Sequence, residues 1–392
     1  MSTMARLTGP MRNLLLVVLI YHLAIWMDLI ATLQYWGFDL GADPVELGIL
    51  VMSFSGSMAF AGALFEGRVR TGQRFILIAA ALGGAMCMEV YPLFPSVAFG
   101  IIPIIVKGGL IGLMAGAHKA CMERLCVHGE LAKVDELFEW CAAAMKFAGP
   151  LVAVIIIGSG IGVIPVHISS SLYVLAALAA LFLPKLNGEA ASIEYPVDTE
   201  PRSDSLLLIA GLVALAAMSL FVTVGDSQLV ILFRDVYAWN DAVPVALVMA
   251  AAGIGTYLVR FWQADRRSFV WVGISCLALA AAFFVLTGGI QVRMPLIWVL
   301  LVFLVAGVFW QAGFTVYLRK ISGDEAGSAR FGIIMAATYI SGPLFGGIMV
   351  KMIGIQHVYQ LAGLSLLGIA LAFGIIYAAR QTLTAKLKTK KG

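Results

Sequence analysis

Apolar residues run along this chain in twelve long, nearly continuous stretches that are separated by shorter polar segments. Most stretches reach the length of about 20 residues that an α-helix needs to cross the hydrocarbon core of a bilayer. Strands of an outer-membrane barrel would instead alternate polar and apolar positions over about 10 residues. The pattern therefore predicts an all-α integral membrane protein with twelve transmembrane helices, at residues 12–36, 44–66, 74–93, 98–123, 133–158, 164–184, 206–234, 242–264, 268–289, 294–320, 327–352 and 357–382.

The longest polar connection separates the first six predicted helices from the last six. It covers residues 185–205 and is rich in Asp and Glu. We therefore predict an N-terminal half at residues 1–184, a cytoplasmic linker at 185–205, and a C-terminal half at 206–392 that ends in a basic tail.

The composition excludes a water-soluble fold. Of the 392 residues, 61% are hydrophobic and only 12% are charged, whereas soluble domains carry about 25% charged residues. The mean hydropathy is +0.97. The first apolar stretch is too long for a cleavable signal peptide and lacks a small-residue cleavage site, so we expect it to stay as a membrane anchor. The five cysteines show no spacing typical of a disulfide framework.

Basic residues are distributed unequally between the two predicted sides of the membrane. Most of the 26 lysines and arginines fall on one side, and the other side receives Arg234, Arg293 and Lys351. In membrane proteins the cytoplasmic loops carry the excess of Lys and Arg. We therefore expect a bacterial-type inner (plasma) membrane protein that has both termini in the cytoplasm and its basic tail against anionic lipid.

The two predicted halves share features at similar spacing, which indicates an internal repeat. Asp28 in helix 1 and Asp226 in helix 7 lie 198 positions apart. Gly149-Pro150 in helix 5 and Gly342-Pro343 in helix 11 lie 193 positions apart. Six plus six helices with a cytoplasmic central connection resemble the major facilitator superfamily, whose two pseudo-symmetric halves pack around a central substrate cavity. The resemblance covers essentially the whole chain.

Local motifs add to this resemblance. The loop after helix 2 is similar to the family's cytoplasmic gating element, with Glu in place of the usual Asp and a different spacing: Gly62, Glu66, Arg68, Arg70 and Arg74. Gly149-Pro150 resembles the core of the motif of the superfamily's proton-coupled exporters, although Met145 and Ala153 replace its flanking glycines. Lys107 stands in helix 4 where those exporters usually have Arg, and the glycines after it also permit close helix packing. The resemblance implies gating or conformational roles for the loop and for the two Gly-Pro motifs.

Four charged residues lie inside predicted helices: Asp28, Lys107, Lys146 and Asp226. A charge at the bilayer centre costs at least about 2.5–3.5 kcal/mol, so it normally faces a cavity or a partner. One interpretation is two buried salt bridges that fix the helix arrangement. The other is that Lys107 and Lys146 bind an anionic or zwitterionic substrate while Asp28 or Asp226 takes up a coupling proton, which links protonation to alternating access. His22, on the same helix as Asp28, is either a proton relay or a packing residue.

Aromatic and amide side chains are candidates to complete a substrate pocket. They supply stacking faces and hydrogen-bond donors that suit a ring-bearing or conjugated ligand. Most aromatic residues in membrane helices, however, serve packing or anchor a helix at the interface. The candidate substrate-binding residues are Trp26, Gln34, Gln228, Trp310, Gln311 and Tyr339.

The functional hypothesis from these features and from the resemblance is a secondary active transporter, not an enzyme. It would export a small organic anion or zwitterion, siderophore-like or drug-like, in exchange for protons. The expected partners are the substrate, protons and membrane lipid, with one chain sufficient for transport; we expect no cofactor, no resident metal and no nucleic-acid partner. Alternatives with the same fold are a lysophospholipid flippase and a metal-ion exporter. The alternative of another class is a membrane-embedded sensor or enzyme, although the sequence shows no nucleophile–base constellation.

Overall fold

The computed structural model describes residues 7–65, 71–94, 96–126, 130–159, 164–185, 205–261, 269–321 and 325–389. Within these ranges the chain is almost entirely helical and has no β-strand. The long helices of this described part, some of them extended by short helical turns, are α1 (Gly9–Leu33), α2 (Pro44–Phe65), α3 (Gln73–Val90), α4 (Val97–Leu125), α5 (Leu131–Gly158), α6 (Ile164–Ala180), α7 (Ser205–Ser227), α8 (Val243–Leu258), α9 (Val270–Val292), α10 (Leu296–Ile321), α11 (Glu325–Ile353) and α12 (Ile355–Thr389).

These helices have the length and composition of membrane spans. Among the described residues, eleven are long and apolar enough to cross a bilayer, and the apolar segment Pro165–Ala180 of α6 is shorter. Large apolar side chains such as Phe60, Phe75 and Phe182 are highly exposed, as contact with lipid tails requires. The structure confirms the predicted all-α membrane fold. Most helix ends lie within a few residues of the predicted bounds, and α12 continues seven residues beyond its predicted end at residue 382.

The helix packing repeats after six helices. In the first half, α1 packs against α5 and α6, α3 packs against α4 and α6, and α2 packs against α4. In the second half, α7 packs against α11 and α12, α9 packs against α10 and α12, and α8 packs against α10. Each of these contacts in the first half has its counterpart six helices later, so one packing pattern builds both halves.

The ends of α1 and α7 show the same repeat at the level of single residues. Each helix continues into a π-helical turn, Gln34–Asp39 in the first half and Leu232–Val236 in the second. Asp43 then accepts hydrogen bonds of 2.8 Å from backbone N–H groups at the start of α2, and Asp241 accepts one of 3.0 Å at the start of α8. Side-chain oxygens in this position satisfy the free N–H groups of a helix start. The two π-helical turns begin 198 positions apart, and so do Asp43 and Asp241, which is also the spacing between Asp28 and Asp226.

The two halves meet where α2 packs against α11 and α5 packs against α8. We call the end of the molecule that holds the loops at residues 40–43 and 237–242 the latch face. Near it, a Cβ added to Gly48 of α2 would collide with the carbonyl oxygen of Pro343 in α11. A Cβ added to Gly347 of α11 would collide in turn with the carbonyl oxygen of Pro44. Small residues thus let the two halves approach backbone to backbone.

Candidate functional site

A cavity with two adjoining chambers lies between the halves. The first chamber has a volume of about 400 Å³ and is lined mainly by α1, α2, α4 and α5. The second has a volume of about 250 Å³ and is lined mainly by α7, α8, α9 and α10. Trp26, Lys146 and Tyr339 line both chambers. The cavity therefore brings side chains of both halves together around one space.

Asp28 and Lys107 form a buried ion pair in the wall of the first chamber. Lys107 Nζ lies 2.6 Å from Asp28 Oδ1, and the two side chains are 3% and 1% exposed respectively. Thr32 Oγ1 donates a hydrogen bond of 3.0 Å to Oδ1, and the Tyr173 hydroxyl donates one of 3.0 Å to Oδ2. Buried ions need such partners because desolvation is costly. The sequence did not identify Tyr173, since no pattern in α6 shows that it meets Asp28.

Lys146 and Asp226 face the cavity without comparable partners. Lys146 on α5 is partly buried, and Asp226 on α7 is exposed in the second chamber. Among the described residues, neither side chain makes a hydrogen bond or an ion pair. The position 198 residues after Lys107 is Val305, so Asp226 has no helix-10 lysine that corresponds to the partner of Asp28. Both halves therefore carry the aspartate at the corresponding position, but only the first half carries the lysine that pairs with it.

Two histidines share the first chamber with Lys146. His22 lies on α1, and His118 on α4 stacks parallel to Phe138 with ring centroids 6.5 Å apart. Both imidazoles are partly exposed, and a charged His22 would be repelled by His118 and by Lys146. The sequence analysis missed His118. The sequence could have identified it, because His118 follows Lys107 by 11 residues, or about three helical turns, and this spacing places both residues on one face of α4.

Three of the predicted pocket aromatics line the cavity. Trp26 and Tyr339 border both chambers, and Trp310 borders the second. Gln311, the next residue along α10, is not among the chamber-lining residues, and its amide donates a hydrogen bond of 3.2 Å to Thr315 Oγ1. These three aromatic side chains therefore border the cavity and Gln311 does not, and a role of any of them in substrate binding stays a prediction.

Gln34 and Gln228, which the sequence analysis proposed as substrate contacts, lie between the halves near the latch face. Gln34 Oε1 accepts a hydrogen bond of 2.7 Å from the backbone N–H of Ala242. Gln228 Nε2 donates one of 3.2 Å to the carbonyl oxygen of Pro44. Each glutamine therefore joins its own half to the other, and neither lines a chamber.

Two cationic side chains close the same face. Arg234, in the π-helical turn after α7, donates hydrogen bonds to the carbonyl oxygens of Gly37 at 2.5 Å and Ala42 at 3.0 Å. Lys351 of α11 donates one of 2.7 Å to Asp43 Oδ2. Partial burial raises the pKa of Asp43, but the hydrogen bond from Lys351 and those from backbone N–H groups outweigh it, so this pKa lies below its ordinary value.

The predicted gating glycines and prolines of α5 and α11 lie at close helix contacts. A Cβ on Gly149 would lie 2.5 Å from the Cβ of Trp26 on α1. A Cβ on Gly342 would collide with the Thr223 hydroxyl on α7, so the two motifs make equivalent contacts in the two halves. Pro150 and Pro343 stand inside their helices, where each removes one backbone hydrogen bond.

The predicted gating loop after α2 is described only in part. Gly62 of α2 lies against Gly112 of α4, where small residues allow close approach, and Arg74 lies in the first turn of α3. Glu66, Arg68 and Arg70 lie outside the described residues. The gating role of this loop stays a prediction.

Known proteins that are similar to this chain include three transporters. No family model matches the chain. The uncharacterized MFS-type transporter YfiS of Bacillus subtilis (strain 168) is 21% identical over 379 residues, which cover 88% of each protein. Among solved structures, the nucleoside transporter NupG is 14% identical, with a TM-score of 0.68 over 94% of this chain and 99% of that one. A mutant of the peptide transporter POT in complex with sulfate is 12% identical, with a TM-score of 0.73 over 94% of each chain.

Proposed function

Because this chain is a multi-pass membrane protein with the fold of the major facilitator superfamily transporters, we propose that it exports a small organic zwitterion or anion, siderophore-like or drug-like, in exchange for protons by alternating access. The observation that carries the proposal is the unequal state of the four charges inside the helices. Asp28 and Lys107 neutralise each other. Lys146 and Asp226 border one cavity, and neither has a partner among the described residues.

A zwitterion suits the two charges that lack partners. Lys146 contributes a positive charge that borders both chambers, and Asp226 contributes a negative charge to the second. A charge inside the membrane is costly unless it is paired or hydrated. A bound substrate with one anionic and one cationic group would stabilise both residues at once. The ring faces of Trp26, Trp310 and Tyr339 would add contact area for an aromatic or conjugated part of the substrate.

The proton is proposed to bind at Asp28. Protonation would neutralise this carboxylate and leave the buried ammonium group of Lys107 without its partner. That change would favour a different arrangement of α1 and α4, which carry the two residues, and so couple proton binding to the side on which the cavity is open. His22 borders the same chamber and is proposed to pass the proton between the cavity and Asp28.

Two observations support export. Contacts between the halves close the latch face, whereas the second chamber extends to Thr256 in the last turn of α8 at the opposite end. If the charge distribution orients the chain as the sequence predicts, this conformation opens the cavity to the cytoplasm, as the loading step of an exporter requires. The resemblance of Gly149-Pro150 to the exporter motif favours the same direction.

The test is substrate-dependent proton movement in proteoliposomes. Vesicles are loaded with a pool of small organic anions and zwitterions and with a pH-sensitive dye, and the outer medium is acidified. Wild-type protein should acidify the vesicle interior faster when the pool is present. The substitution Asp28→Asn should abolish this difference, and Lys146→Gln and Asp226→Asn should slow the loss of the transported compound when its concentration is limiting. Glu89→Gln, which removes an exposed carboxylate that lies 2.9 Å from His167 and borders neither chamber, is the matched control and should transport normally.

Two outcomes would overturn the proposal. Proton movement that depends on the pool but is unaffected by Asp28→Asn would remove Asp28 as the coupling site. Transport that is unaffected by both Lys146→Gln and Asp226→Asn would show that the cavity charges do not bind the substrate.

A further inference from the structure

Lys146, His22 and His118 line the first chamber together, and they come from three different helices. We propose that this trio is a binding site for a carboxylate group, and that it receives the anionic end of the substrate. This inference rests on the proposed function, because it names the chemistry that one end of that cavity recognises.

The charges around the trio favour an anion. The acidic side chain of the chamber, Asp28, is already bound to Lys107 at 2.6 Å. Glu139, on the same helix as Lys146, forms an ion pair of 3.1 Å with Arg260, which lies in the short helical turn after α8. Both of these pairs are neutral as a whole. Lys146 therefore gives the chamber a positive charge that no described carboxylate compensates.

The hydrogen-bonding capacity of the trio matches a carboxylate. An ammonium group offers three N–H donors and the neutral imidazole of His22 offers one, whereas the ring of His118 is already hydrogen-bonded to the backbone of Met114 through one nitrogen. A carboxylate accepts about four hydrogen bonds, and bonds to a charged donor are stronger than those between neutral groups. The site therefore does not require a protonated histidine.

The position of the trio also defines how a zwitterion would lie. Lys146 and Trp26 stand where the two chambers adjoin, and Asp226 stands in the second chamber alone. A carboxylate at the trio would therefore place the cationic end of the same molecule toward Asp226. The first chamber, at about 400 Å³, has room for more than the carboxylate itself.

Protection of the histidines from chemical modification tests this site without knowledge of the natural substrate. The purified full chain is treated with diethyl pyrocarbonate in the presence of citrate or of sodium chloride at equal ionic strength. Mass spectrometry then measures the modification rate of each histidine. Citrate should slow the reaction of His22 and His118 severalfold. His167 and His357, which are exposed and border neither main chamber, are controls within the same molecule and should react at unchanged rates.

Variants of Lys146 identify the anchor of the carboxylate. Lys146→Gln should lose the protection of both histidines, whereas Lys146→Arg, which keeps the charge, should retain it. Asp226→Asn should retain it too, because Asp226 borders only the second chamber. Size-exclusion profiles establish that each variant is folded, and Lys146→Arg gives a charge-matched reference if the Gln variant is unstable.

Two results would overturn the inference: no protection by citrate in the wild type, or equal protection in the wild type and in Lys146→Gln. The proposed function can fail separately. The protein could show protection that depends on Lys146 and yet move no protons with any compound of the pool. That result would support the carboxylate site and refute proton-coupled export.

Discussion

Lys107 of α4 lies 2.6 Å from Asp28 of α1, and the second half has no equivalent of this ion pair because Val305 stands at the position that corresponds to the lysine. Both halves therefore have the acidic residue, but the second half has valine in place of the lysine partner. One aspartate is held inside a neutral pair, and the other is exposed in a chamber that Lys146 also lines. We therefore expect the Asp28–Lys107 pair to contribute to stability, and Lys146 and Asp226 to contribute to substrate binding.

Loss of one member of the Asp28–Lys107 pair should destabilise the protein strongly. Lys107→Met leaves a buried carboxylate without its ionic partner, and breaking a buried pair in this way costs about 3–5 kcal/mol. Chemical unfolding in detergent measures the change in free energy. The double variant with Asp28→Asn and Lys107→Met should recover most of the loss, since no buried charge is left. A Lys107→Met protein as stable as the wild type would contradict this prediction.

Loss of Lys146 or Asp226 should weaken substrate binding without destabilising the protein. Lys146→Gln and Asp226→Asn should leave the Tm unchanged or raise it, because each removes a charge without a partner among the described residues. Apparent substrate affinity should fall about tenfold to a hundredfold, since a hydrogen bond to a charged group contributes about 1.5–3 kcal/mol. Parallel Tm and transport assays separate the two effects. A lower Tm with unchanged affinity would show that these charges serve stability.

A methyl group at Gly48 should open the latch face. Gly48→Ala places a Cβ against the carbonyl oxygen of Pro343 in the other half. Overpacking of this size costs about 1–3 kcal/mol, which shifts the ratio of closed to open molecules by about five- to 150-fold. In a cysteine-free background, spin labels at Leu40→Cys and Trp239→Cys should move apart in electron paramagnetic resonance measurements. Gly288→Ala is the control, because no atom lies within 4 Å of its added Cβ, and it should leave the label distance unchanged.

The Asp43–Lys351 contact should hold the latch face closed throughout the neutral and mildly acidic range. The pKa of Asp43 is lowered in the closed state, so the contact stabilises closure above the ordinary Asp pKa of about 3.9 and loses this effect as the pH falls through the lower pKa of the closed state. The same label distances should therefore stay constant from about pH 7 to about pH 5 and lengthen only below about pH 4. Asp43→Asn should give a slightly longer average distance that no longer responds to acid. If the label distance of the wild type instead changed between pH 5 and pH 7, groups other than Asp43 and Lys351 would control closure of the latch face.

The sequence predicted the arrangement of elements well because that information is local. Each apolar run is long enough to identify a span on its own, and the spacing of Asp28 and Asp226 revealed the repeat, which the π-helical turns and the capping residues Asp43 and Asp241 follow at the same 198 positions. Trp310 and Tyr339 were predicted from their chemistry on cavity-lining helices, and both line the second chamber.

The sequence by itself thus determined the membrane fold, the repeat and the four charges that require an explanation, because the length, spacing and charge of a segment do not depend on its neighbours. Only the tertiary structure decided which charges pair. The rotation and crossing of the helices bring Lys107 to Asp28 and leave Lys146 in the cavity, move Gln34 and Gln228 to contacts between the halves, and add Tyr173 and His118 to the site. A difference of a few ångströms in helix position decides whether a lysine forms a neutral pair or faces a cavity, and no local pattern in the chain predicts that distance.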